Sequence, residues 1–195
     1  MTSNNIGFDA GPIFRKRDGV GTYTAEIILA AAKRYPETTF YGIIFSNTDT
    51  TNCLISEFPR NVLIKKVPMP WQVYRLFAEL GLWLPVDKLL GLHLDLFLNL
   101  NFVALPWTSK SVPKKLVIHD ASYILYPETM SGPNLSYLKK FIRRSVKKSS
   151  VTPFTISAHS AELMKNTYGR EFGIAPNSSA LSVNASTGAK YYIFF

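Results

Sequence analysis

Six short runs of this chain are rich in β-branched and aromatic residues, and most are separated by stretches whose apolar residues recur at helical spacing. The runs are NIGFDAG (Asn5–Gly11), TTFYGIIF (Thr38–Phe45), NVLIKKV (Asn61–Val67), LDLFLNL (Leu94–Leu100), KKLVIHD (Lys114–Asp120) and VTPFTIS (Val151–Ser157). A strand followed by a helix returns the chain to the edge it left, so the next strand lies parallel to the first. The alternation therefore predicts an α/β domain: a mainly parallel, Rossmann-like sheet flanked by helices. It does not reveal the strand order.

The helical stretches carry their own punctuation. Thr22 to Arg34 is Ala-, Ile- and Leu-rich and is closed by Pro36. Trp71 to Leu80 places Val73, Leu76, Phe77 and Leu80 on one stripe, expected to be buried core, with an acceptor- or lipid-facing helix as the alternative. Leu135 to Lys148 sets Leu135, Leu138, Ile142 and Val146 against six cations: Lys139, Lys140, Arg143, Arg144, Lys147 and Lys148. The last helix starts after Ser157, an N-cap residue type, and ends at Gly169, suited to the C′ position. Residues 1–175 thus read as one domain. Residues 176–190, rich in Ser, Asn and Gly, read as a linker. Tyr191–Phe195 reads as the first strand of a further domain, the alternative being an extra edge strand.

Of the 195 residues, 47% are hydrophobic and only 18% charged, which excludes a disordered polyelectrolyte. The balance, 22 Lys and Arg against 13 Asp and Glu, favours an anionic partner. Cys53 is the single cysteine, so no internal disulfide forms, and a reducing cytoplasm is expected. Asp87, Lys88, His93 and Asp95 interrupt the most apolar region, Leu80–Trp107, too often for a membrane span. No helix-turn-helix, zinc spacing or RNA-binding aromatic pair accompanies the basic charge, which disfavours nucleic acid.

The loop RKRDGVGTYTAEI (Arg15–Ile27) places Gly19 and Gly21 just before the first helix. Backbone amides at a helix N-terminus attract anions, and a missing Cβ permits close approach. The third glycine of a dinucleotide fingerprint is absent, since position 24 is Thr24, and no Gly-Lys-Ser/Thr follows. A phosphate cradle and a tight turn both remain open from the loop alone.

After GVGTY, the segments LNLNFVALPW (Leu98–Trp107), KKLVIHDASYILYPE (Lys114–Glu128) and FTISAHSAELMKNTYG (Phe154–Gly169) follow in order. This series resembles the N-terminal half of glycosyltransferase family 4 enzymes, and in particular bacterial mannosyltransferase-like members, over residues 5 to 176. The resemblance implies one half of a GT-B architecture and retaining transfer of a hexosyl group, with mannosyl as the specific candidate, from a GDP- or UDP-sugar to a glycan or lipid-linked acceptor. It implies that Gly19, Gly21 and Thr22 meet the donor phosphate, that His119 faces the transferred sugar and that Asp120 shapes its loop. Asn101, Tyr123, Ser157 and His159 are expected to line the cleft. No resident cofactor is implied. The family's Glu-x7-Glu segment and basic pair would lie in a second, nucleotide-binding half, so this polypeptide alone is expected not to turn over. A separate chain supplying that half, or a homo-oligomer, is the expected protein partner.

His119 follows Leu116-Val117-Ile118 and so belongs at a carboxyl strand edge, where open α/β sheets bind ligands. The plainer reading is a histidine that satisfies a loop carbonyl. His93, in an apolar run, reads as structural. The histidines lie far apart, which predicts no metal site, and the absence of Gly-x-Ser-x-Gly leaves hydrolase chemistry unsupported. The six cations of the basic helix suggest contact with an anionic membrane at its inner face, against the ordinary alternative of a solvated helix face. A non-catalytic docking module is the competing function. A small nucleotide-binding α/β protein comes third.

Overall fold

The computed structural model describes residues 4–15, 19–82, 84–102 and 108–176. Seven parallel strands form one open sheet: β1 (Asn5–Asp9), β2 (Thr39–Phe45), β3 (Val62–Val67), β4 (Leu96–Asn99), β5 (Lys114–Ile118), β6 (Val151–Thr155) and β7 (Gly173–Ile174). Their order across the sheet is β3-β2-β1-β4-β5-β6-β7, a Rossmann-like α/β fold. All six sequence-read runs are strands, trimmed at their ends. The NIGFDAG run stops at Asp9 and continues as a 3-10 turn, Gly11–Phe14, opened by Pro12. The two-residue β7 was not anticipated, being too short to show a period. The expected linker beyond Pro176 and the Tyr191–Phe195 segment lie outside the described residues.

Six helices cover the sheet: α1 (Gly19–Arg34), α2 (Trp71–Glu79), α3 (Val86–Leu89), α4 (Ser122–Leu125), α5 (Gly132–Val146) and α6 (Ala158–Tyr168). Side chains alternate along a strand, so each strand feeds two faces. Phe8, Leu98 and Val117 pack with Ile28, Ala31 and Ala32 of α1 on one face. Phe97 packs with Tyr74 of α2 and Phe141 of α5 on the other, where Leu116 and Ile118 also meet Ile142, Val146 and Met164. Strands β2 and β4 flank β1 on opposite sides, so the chain leaves β1 in one direction early and in the other later. A crevice at the carboxyl ends of β1 and β4 follows from that reversal.

Gly7 of β1 shows how tightly this face is filled. A Cβ there would lie 2.7 Å from both Leu94 Cδ1 and Phe97 Cδ2. Gly7→Val is expected to lower unfolding stability by about 1–3 kcal/mol in urea titration, the usual cost of overpacking.

Two helix ends match expectation. Ser157 Oγ accepts from the Ser160 N–H at 3.2 Å, and Gly169 closes α6 at φ 67°, its N–H donating to Lys165 at 2.8 Å. Three expectations are corrected. Helix α1 begins at Gly19 rather than Thr22, so both glycines lie in its first turn and not in a loop ahead of it. The Trp71–Leu80 stripe is not core: Tyr74 is the buried residue of α2, while Leu76 and Leu80 are 54% and 65% exposed. Amphipathic spacing fixes that a helix has an apolar face, but not that the sheet has room for it. His93 is likewise not packed inside, its side chain being 91% exposed.

Candidate functional site at the sheet's switch point

One cavity of about 450 Å³ opens beside the crevice between β1 and β4, within the range of ordinary small-molecule sites. Asp9, the last residue of β1, lies on its wall. Alternation carries Phe8 to the α1 face and Asp9 to the α2/α5 face. Its Oδ1 accepts from the Gly11 N–H at 2.9 Å, a contact kept close because Gly11 has no Cβ. Burial pushes the Asp9 carboxyl up to about 6, against the opposing pull of the Gly11 amide, the Arg15 charge and a hydrogen bond with Asn101. A carboxyl in that range exchanges protons readily near neutral pH.

Asp49 lines the same cavity with the opposite bias. The Thr51 N–H and hydroxyl, at 2.9 and 2.7 Å, hold its carboxyl below the usual range. Two carboxyl groups with opposed tendencies thus share one cavity, the pattern by which acid and base roles are separated.

Aromatic and amide groups supply the rest of the wall. Asn47, just after β2, accepts the Trp71 N–H at 2.9 Å and donates to Gln72 at 2.8 Å, so it caps α2 where Pro70 offers no side-chain acceptor. That cap fixes the Trp71 ring, which meets Phe45 edge-on at 5.2 Å. Arg75, one turn further, lies 4.1 Å over the Tyr137 ring of α5 and pairs with Glu79 at 2.7 Å. Burial pushes the Tyr137 hydroxyl up to about 12, so it remains a proton donor at neutral pH. Asn101, Asn134 and Arg15 complete a lining of planar rings, amides and two guanidinium groups.

The residues singled out from the sequence scatter around this centre. Asn101 is in the cavity wall, bonded to Asp9. His119 sits at the end of β5, 8% exposed, but alternation from Ile118 turns it to the α1 face. Its Nε2–H donates to the Leu100 carbonyl at 2.9 Å, and its ring meets Tyr23 edge-on at 4.7 Å. The histidine therefore does satisfy a loop carbonyl. Phe102 lies between it and the cavity, with its ring 5.4 Å from His119 and an uncommon backbone φ of 21°. Residues 103–107 of the NFVALPW segment lie outside the described residues.

Asp120 accepts from the Ser122 N–H at 2.9 Å and its hydroxyl at 2.5 Å, organising the turn into α4. Tyr123 is fully buried with Leu116, Ile118 and Ile142 and is not among the residues that line the switch-point cavity. Ser157 is a helix cap, and His159 is exposed on the first turn of α6. Gly19 and Thr22 are exposed and Gly21 is buried, all in the first turn of α1. Helix α5 ends at Val146, so it carries four of the six cations, with Lys147 as its C-cap and Lys148 beyond it; Lys139, Arg143 and Lys147 edge a second cavity, while Lys140 and Arg144 lie 5.7 and 5.8 Å from the Phe141 ring.

The sequence reading missed Asp9, Asp49, Trp71, Arg75 and Tyr137. One signal was available for Asp9, a carboxylate at the end of an apolar run two residues before Gly11; the others come from the loop after β2, from α2 and from α5, which lie far apart in the chain. Among the described residues, no group of three or more His, Cys, Asp or Glu side chains converges on a common point. No helix among them is long and apolar enough to cross a membrane. A scan against models of protein families finds no match to the chain, and a search of curated proteins finds none at a significant level.

Proposed function

We propose that this domain holds the acceptor sugar in a retaining glycosyl transfer. A hexosyl group, mannosyl by the resemblance of the sequence segments, passes from a GDP- or UDP-sugar to a glycan or lipid-linked acceptor. The switch-point cavity carries the reading. Polyhydroxylated ligands present apolar ring faces and closely spaced hydroxyls, and the cavity presents planar rings at Trp71 and Tyr137 beside Asp9, Asn101 and Asn134. Asp9 accepts from an acceptor hydroxyl and, with a carboxyl near 6, draws its proton as the hydroxyl attacks. Arg15 and Arg75 offset the negative charge of a donor phosphate on the open side. The first turn of α1, bare of side chains at Gly19 and Gly21, presents the positive end of the helix dipole to the same phosphate. The nucleotide falls to a second domain of similar architecture.

A lipid-linked acceptor fits the surface next to the cavity. Leu76, Leu80 and Leu82 stand exposed on and after α2, and Arg75 ties that helix to basic α5 through Tyr137. Apolar side chains beside cations suit the interface of an anionic bilayer, placing the work at the cytoplasmic face of a membrane.

Saturation-transfer NMR with methyl hexosides tests the cavity. Mannoside or glucoside protons should show transfer with the native chain and lose it in Trp71→Ala, while the amide spectrum stays folded. Equal transfer in both proteins, or none in either, would sink the reading. Gly19→Ala is a second test. A Cβ there meets nothing within 4 Å, so the change should stabilise α1 by a few tenths to about 1 kcal/mol. If this turn approaches a phosphate, GDP- or UDP-sugar titration should weaken severalfold despite the gain in stability.

A further inference from the structure

Helices α4, α5 and α6 border a second, open cavity of about 490 Å³ that shares no lining residue with the first. Lys139 and Arg143 of α5 and Lys147, its C-cap, edge it four residues apart, so their charges run over about 12 Å along the helix axis. Among the described residues no carboxylate lines the cavity. Among the described residues none of these three cations is in a salt bridge. Their neighbours Lys140 and Arg144 instead lie against Phe141.

The floor is polar in a specific way. Tyr123 is fully buried, and its hydroxyl lies 2.9 Å from that of Tyr168, which is only half-buried and also lines the cavity. Two hydroxyls in contact hold two hydrogens, and their mutual bond uses one. Tyr123, enclosed in apolar core, spends its hydrogen on Tyr168, since a buried donor left unmade is costly. The Tyr168 hydrogen is then directed outward, toward the cations' side. Arg170 keeps the two helices in place by donating to the Val146, Lys148 and Val151 carbonyls at the end of α5 and start of β6.

We infer that this cavity is a binding site for a phosphorylated ligand carrying at least two negative charges, held by Lys139, Arg143 and Lys147 with Tyr168 as a neutral donor. Guanidinium and ammonium groups with a phenolic donor match phosphate oxygens, which only accept. Such a group belongs either to a lipid headgroup or to a free phosphorylated compound. The inference sharpens the membrane-surface reading above by naming three of its cations, and it is independent of glycosyl transfer.

The test titrates the full chain with sodium pyrophosphate by calorimetry, and separately measures sedimentation with vesicles of phosphatidylcholine containing phosphatidic acid. Arg143→Gln and Arg144→Gln remove the same charge from adjacent exposed positions, inside and outside the cavity. Tyr168→Phe removes the neutral donor without changing charge, and thermal melts confirm that each variant folds. The expected result is saturable binding that falls at least tenfold in Arg143→Gln, severalfold in Tyr168→Phe and less than twofold in Arg144→Gln. Seen with pyrophosphate, that pattern identifies a free phosphorylated ligand; seen with vesicles alone, it identifies a headgroup. Vesicle binding reduced equally by both arginine variants overturns the cavity and leaves the membrane reading standing. No binding of either probe overturns both.

Discussion

Asp9→Asn is expected to stabilise the fold above pH 6 while abolishing acceptor binding. The Asp9 carboxyl titrates near 6 in the folded chain against an ordinary 3.8. The folded state therefore binds the proton more tightly than the unfolded one. Stability falls as pH rises from about 4 to about 6, and the deficit is complete above that. The difference corresponds to ~3 kcal/mol at most. Asparagine carries no charge to desolvate and can still accept from the Gly11 N–H, so the variant should gain about 1–3 kcal/mol at pH 7.5. At pH 4 it should gain almost nothing. Urea denaturation of both proteins at pH 4, 5, 6 and 7.5 reads the difference directly, and other carboxyl groups cancel between the two. A difference that stays flat with pH would show that Asp9 does not titrate in this window. Loss of hexoside binding in the same variant would connect the instability to use: a carboxylate kept where folding alone disfavours it.

Asn99→Leu is expected to stabilise the chain by about 1–3 kcal/mol at every pH. Asn99 ends β4, is 1% exposed, and neither its amide nitrogen nor its oxygen has a hydrogen-bond partner among the described residues. It lies one step beyond the registered pair Phe8–Leu98, so it stands next to Asp9 and faces the same side of the sheet. Leucine has a similar volume and nothing to leave unsatisfied. Chemical denaturation settles the sign: a destabilised variant would mean the amide is bonded in solution. If both variants stabilise, the two strand ends at the switch point share one property. Each carries a polar group that the fold does not need, and such groups cluster at functional sites.

Much of the architecture could be read from local pattern. Each strand run contained enough β-branched and aromatic side chains to identify itself, and Ser157 and Gly169 marked the ends of α6 through chemistry confined to one turn. Local pattern failed where the outcome depended on a neighbour. The apolar stripe of α2 gave no hint that Tyr74 would be its buried residue, because that was decided by the space between Phe45 and Val86 in the same cluster. The six cations from Lys139 to Lys148 looked equivalent in sequence. Only the packing of α4 and α6 against the helix divided them into three that edge a cavity and others that lie on Phe141 or elsewhere.

The candidate site follows the same division. By itself, the sequence determined that a parallel sheet would form, that His119 would lie at a carboxyl strand edge, and that basic charge would gather in the stretch Lys139–Lys148. These depend on periodicity, on the direction a strand runs and on composition, all carried by neighbouring residues. Only the tertiary structure decided that Asp9 and His119 would face opposite sides of the sheet. It alone brought Asp9, Asp49, Trp71, Asn101 and Tyr137 around one cavity from five separate segments. The physical reason is strand order. It places the reversal between β1 and β4 and so brings the carboxyl ends of these two strands to one crevice.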